Sequence, residues 1–100
     1  MIKIKASIEL HQHSRRTPIR SGYTPDFDFV KESLTGGYII LLNKNEIFCG
    51  EKAEVEIRFL HKDLLGEDFA PGTKFTFYEG KNAVGEGQVK EIIQTPEDDK

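Results

Sequence analysis

Apolar and polar residues alternate along most of this chain. Ile2, Ile4, Ala6, Ile8 and Leu10 are interleaved with Lys3, Lys5, Ser7 and Glu9, the period-two pattern of a strand with one buried face. Ala53, Val55, Ile57 and Phe59 alternate just as regularly with Glu54, Glu56 and Arg58. Phe27-Asp28-Phe29 opens a strand that the pattern carries to Lys31, and Tyr38 to Leu42 is a continuous apolar strand. Phe75 and Phe77, with Thr76 and Tyr78, form a fifth strand, and Gly87 to Ile93 a sixth. Gly36-Gly37, Asn43 to Glu46, Pro71-Gly72 and Gly80 to Gly85 read as turns, because glycine, proline and asparagine interrupt regular structure. Phe48 to Glu51 is a further connector, and two longer ones run from His11 to Gly22 and from His61 to Gly72. No segment of ten residues or more keeps a 3.6-residue period, so the elements predict an all-β sandwich or barrel. Closure of six strands would remove exposed sheet edges. The expected core is Ile4, Ile8, Phe27, Phe29, Ile40, Val55, Ile57, Phe75, Phe77 and Val89.

One hundred residues suit a single domain, placed at residues 1–95, with a polar tail at 96–100. No apolar run reaches the length of a membrane span, and the N-terminus alternates too regularly for a signal peptide. The single cysteine, Cys49, excludes an intramolecular disulfide and suits a reducing, cytoplasmic compartment. Charge is unevenly distributed. Residues 1–25 carry five Lys/Arg and one acid, or +4; residues 26–100 carry nine and sixteen, or −7, giving the net −3. An anion would approach the N-terminal part.

The chemistry-bearing stretch is RRTPIRSGYTPDFDF, Arg15 to Phe29. Pro18 and Pro25 each fix φ and remove a backbone donor, and Gly22 permits a turn closed to other residues. Arg15, Arg16 and Arg20 offer planar forks of donors that match phosphate or carboxylate. Other constellations read more plainly. His11 and His13 could join His61 or Cys49 around zinc, but their spacing matches no zinc motif and they read as solvated loop histidines. Cys49 reads as a small hydrophobe in a connector rather than a nucleophile. Asp26 and Asp28 read as outward strand residues rather than an acid–base pair. No G-x-x-x-x-G-K-[ST] phosphate loop occurs. The residues therefore point to no catalysis, metal or cofactor.

Three groups of residues carry a family resemblance: Thr17-Pro18, then Gly22-Tyr23-Thr24-Pro25-Asp26-Phe27 and Thr35-Gly36, and, near the end, Glu79-Gly80 with Val84-Gly85-Glu86-Gly87. They resemble the threonine-proline pair, Gly-Tyr-x-Pro-x-Phe, Thr-Gly and closing hairpin of the C-terminal β-barrel, domain III, of translation elongation factor Tu. The resemblance spans about residues 3 to 93. It implies a closed, six-stranded antiparallel barrel of Greek-key type, standing alone. The family's GTPase domain and middle barrel have no counterpart here, so GTP hydrolysis is not carried over. Relative to the family, the loop from His61 to Gly72 is about four residues longer, an extension that costs little closure entropy; Asp63 to Ala70 is expected to bulge outward.

In that family the barrel touches aminoacyl-tRNA and packs on protein partners. Arg15 matches a family arginine, and Arg16 stands at a family histidine. Thr35 and Gly80 match positions near the tRNA. Asp26 stands where the family has glutamine, and Thr24 and Asn82 each replace a family arginine. These changes weaken phosphate binding, which depends on neutralisation by cations. The expected function is a non-catalytic, translation-related module that binds protein or RNA. Its hypothetical site is Arg15, Arg16, Arg20, Tyr23, Thr35 and Gly80, and its expected partner is a protein presenting carboxylates to the arginines rather than tRNA. The alternative is a decoy or immunity-type module mimicking the elongation factor's surface, with a toxin-like partner. No membrane or nucleotide partner is expected.

Overall fold

The computed structural model describes residues 2–30, 33–59 and 69–94. Eight strands make up these residues: β1 (Ile2–Leu10), β2 (Ile19–Arg20), β3 (Asp26–Val30), β4 (Ser33–Leu41), β5 (Glu46–Ile47), β6 (Lys52–Phe59), β7 (Lys74–Glu79) and β8 (Asn82–Gln94). No helix occurs among the described residues. Six strands close into an antiparallel barrel in the order β1-β6-β4-β3-β7-β8, with β8 returning to β1. The meander β3-β4-β6 swings back beside β1, which is a Greek-key arrangement. The closed six-stranded barrel is thus the architecture that the alternation and motifs predicted.

The two shortest strands were not visible in the sequence. β2 and β5 pair as a separate ribbon, with Ile19 opposite Ile47. Both isoleucines are fully buried in the core cluster, so the connectors that carry them are anchored rather than free. No helix of the described residues is long and apolar enough to cross a membrane.

Inside the barrel the alternation of β1 and β6 is obeyed at every expected position. Ile4, Ile8, Val55 and Ile57 are buried, with Phe27, Phe75, Phe77 and Val89. Phe29 is half-buried and packs against this core. Ile40 is a correction. Ile39 faces inward opposite Ile57, and Ile40 faces outward opposite Glu56. A run in which neighbours are all apolar carries no parity, and pairing to β6 sets it instead.

Glycines account for the other differences. Gly36 and Gly37 lie within β4, and Gly85 within β8, not in turns, while Gly87 lies in β8 as expected. A Cβ on Gly37 would stand 2.8 Å from Cδ1 of Phe59, on Gly85 2.3 Å from Cζ of Phe77, and on Gly87 2.6 Å from Cζ of Phe75. Phenylalanine rings therefore occupy the volume that side chains would take in an ordinary strand. The last hairpin turns on Gly80 and Lys81 alone, with Gly80 at a φ of 62°.

Six phenylalanines fill the barrel toward the end where β3 stops. Phe27 lies 5.1 Å from Phe59 and 5.6 Å from Phe75 between ring centroids, both edge-on. Phe69 turns inward, 5.0 Å from Phe29. The rest of the expected outward bulge, up to Asp68, lies outside the described residues. β3 and β7 pair only at Asp26 and Phe27. Beyond that, Asp28 completes the seam by accepting from the Thr76 backbone N–H at 2.7 Å and the Tyr78 hydroxyl at 3.4 Å. Asp28 is therefore a bridge between strands rather than a solvated residue.

Candidate binding surface

The loop from His11 to Gly22 leaves β1 and folds over the β7–β8 hairpin. Gly22 takes a φ of 99° and donates its N–H to the Ile39 carbonyl at 2.8 Å. Tyr23 then bridges Ile39 of β4, so the loop is stitched to the barrel wall before β3 begins. The Asn82 amide reaches back to the Ser14 carbonyl at 3.0 Å, which fixes the loop against the hairpin.

Arg15 lies over the face of Tyr23, its guanidinium carbon 4.8 Å from the ring centroid. Its Nη1 donates to Glu79 at 2.7 Å and its Nη2 to the Thr17 hydroxyl at 3.1 Å. The Tyr23 phenol donates to the same Glu79 oxygen. One carboxylate thus holds both the cation and the ring beneath it. Arg15 Nε is buried without a partner among the described residues, so most of this guanidinium is committed to the fold. Gly80 follows Glu79 directly, which places Arg15, Tyr23 and Gly80 in one patch.

Burial, and then the hydrogen bond to Glu79, push the Tyr23 phenol well above its ordinary pKa. The folded chain therefore keeps this proton at a pH where the unfolded chain releases it, above about 10. Stability must fall as pH rises through that window. Tyr23→Phe should show a shallower fall than the wild type between about pH 9 and 11 in urea midpoints. Equal falls in the two proteins would refute this role.

The other expected residues are dispersed. Arg20 sends Nε to Glu46 of β5 at 2.9 Å, an exposed pair. Thr35 is only 2% exposed, inside the barrel opposite Phe27, so its hydroxyl does not face an external ligand. Arg16 is exposed, and among the described residues it has no hydrogen bond, ion pair or ring contact. Of the carboxylates expected from a partner, those facing Arg15 and Arg20 belong to the chain itself. Sequence reasoning does not assign Glu79, Glu46 or Asn82 to the site, although it singles out Asn82 as the replacement of a family arginine. Glu79 was in view as half of a Glu-Gly motif, but nothing local ties it to an arginine more than sixty residues away.

Cys49 lies beside this patch, half-buried against the core. As a thiol it donates to the Arg15 carbonyl at 3.3 Å. As a thiolate it would accept from the Arg15 backbone and then the Ser14 side chain, and these lower its pKa. His11 lies 3.5 Å from Glu86, His13 is exposed, and His61 is outside the described residues. No group of three or more His, Cys, Asp or Glu able to hold a metal occurs among the described residues. No family model matches the chain.

Proposed function

We propose that the chain is a non-catalytic protein-binding module whose recognition loop centres on Arg16. The supporting observation is that Arg15 and Arg20 already have their own carboxylates, Glu79 and Glu46. The loop is therefore shaped and anchored but close to electrically neutral, with Arg16 as its exposed cation. Tight non-specific nucleic-acid binding calls for about six to ten phosphate contacts, far more than one free arginine supplies. A protein surface needs only shape and one well-placed carboxylate. The motifs shared with the elongation factor Tu barrel favour a translation-related partner.

Two measurements test this reading. Labelled tRNA titrated at about 0.15 M salt should bind no tighter than roughly 10⁻⁶ M. Affinity capture from lysate should retain a protein that Arg16→Glu loses. Sub-micromolar tRNA binding abolished by Arg16→Ala would overturn the proposal in favour of RNA.

A further inference from the structure

Three segments meet where the Arg16 loop crosses the barrel. The tip of the β7–β8 hairpin is tied to the loop through the Asn82 amide on the Ser14 carbonyl, at 3.0 Å. The connector from Phe48 to Glu51 is tied to it through the Cys49 thiol, which donates to the Arg15 carbonyl at 3.3 Å and lies 3.7 Å from the Ser14 hydroxyl. Ser14 and Arg15, the two residues before Arg16, are thus held to both neighbours. Phe48 is 51% exposed, the most exposed large hydrophobic side chain among the described residues. Single exposed apolar residues are ordinary, but this one stands on a fixed support. Ile47 before it is fully buried. The Phe48 N–H donates to the Glu51 carboxylate at 2.7 Å, the Glu51 N–H to the Phe48 carbonyl at 3.0 Å, and the Gly50 N–H to the Leu10 carbonyl at 2.7 Å. A ring carried on an ordered turn has little backbone entropy left to lose on binding, and aromatic and arginine side chains dominate many interfaces.

The charges beside the ring indicate what fits it. Arg16 and Lys81 are both exposed, and no described carboxylate pairs with either. The acids of the same segments are engaged elsewhere: Glu79 with Arg15 and Tyr23, and Glu51 with the Phe48 backbone. Glu51 keeps its negative charge next to Phe48, which disfavours a phosphate backbone running past the ring. We infer that the partner enters the Arg16 loop with an acidic segment carrying one large apolar side chain, the apolar group against Phe48 and carboxylates on Arg16 and Lys81. The inference rests on the protein-binding reading of this loop and adds the partner's chemistry, with Phe48 and Lys81 as further binding residues.

The probe is a phage-displayed library of random peptides of roughly twelve residues, selected on the intact chain. Enriched peptides should carry several aspartates or glutamates around a large apolar residue. Phe48→Ser, Lys81→Glu and Arg16→Glu, all at exposed positions, should each weaken the best synthetic peptide about tenfold or more while keeping the melting temperature. Absence of enrichment, enrichment of basic or wholly apolar peptides, or indifference to Phe48→Ser would overturn the inference. So would tighter binding of oligouridylate than of the peptides, or a dimer that Phe48→Ser dissolves. If any of these occurs while affinity capture still depends on Arg16, the loop reading stands and this inference alone falls. Capture indifferent to Arg16→Glu would overturn the loop reading itself, whatever the peptides show.

Discussion

Phe27→Ala should lower the melting temperature by on the order of 20 °C. Phe27 is fully buried and touches four other rings, with centroids 5.1 to 6.1 Å away. Truncating such a side chain removes its burial and leaves a cavity, at about 3–5 kcal/mol. In a domain of this length each kcal/mol moves the midpoint by about 4–8 °C. The loss is a large share of a total stability of about 5–15 kcal/mol. Phe29→Ala should cost less, because Phe29 is only half-buried. The check is a thermal melt followed by circular dichroism. A shift for Phe27→Ala below that for Phe29→Ala would show that the barrel is not centred where we place it.

Gly85→Ala should be strongly damaging, and Gly36→Ala close to harmless. Both glycines lie inside strands. At Gly85 the new Cβ would be 2.3 Å from Cζ of Phe77 and 2.6 Å from the Glu9 carbonyl oxygen. The ring could rotate, but the carbonyl belongs to the β1–β8 ladder and cannot retreat without breaking it. Overpacking costs about 1–3 kcal/mol where side chains can adjust, so the expected loss is about 3 kcal/mol or more. At Gly36 the nearest atom is the Asp26 carboxylate at 3.7 Å, and alanine there restricts the unfolded chain, by about 0.4–1 kcal/mol in favour of folding. Urea midpoints of the two variants decide the matter. Similar values would mean that Phe77 does not sit over Gly85. Phe77→Leu should not rescue Gly85→Ala, because the carbonyl remains.

These two changes also mark where sequence reading runs out. Gly36-Gly37 and Gly85 look like turn material, because glycine's lack of a side chain serves two needs that the sequence does not distinguish. One is a turn with unusual φ, as at Gly80. The other is room for a ring from a neighbouring strand, and that neighbour is a tertiary fact. Parity in Tyr38 to Leu42 is hidden for the same reason, whereas in β1 and β6 the polar interleaving states it outright. At the candidate site, the arginines and Tyr23 were legible as a shaped basic loop. Its near-neutrality was not, because Glu79 and Glu46 reach it only through the hairpin and through the β2–β5 ribbon.

The pairing of β1 with β8 sets Lys3 beside Gln94, the first strand beside the last. During synthesis β1 is made before β8, yet one of its edges has no partner until β8 has followed it. Barrel closure is therefore a late event with a long-range contact as its final step, and folds dominated by such contacts form slowly. Until then β1 is an open edge able to template unwanted pairing. Its outward Lys3 and Lys5 oppose that, since charge, lysine above all, is how natural edges discourage strangers.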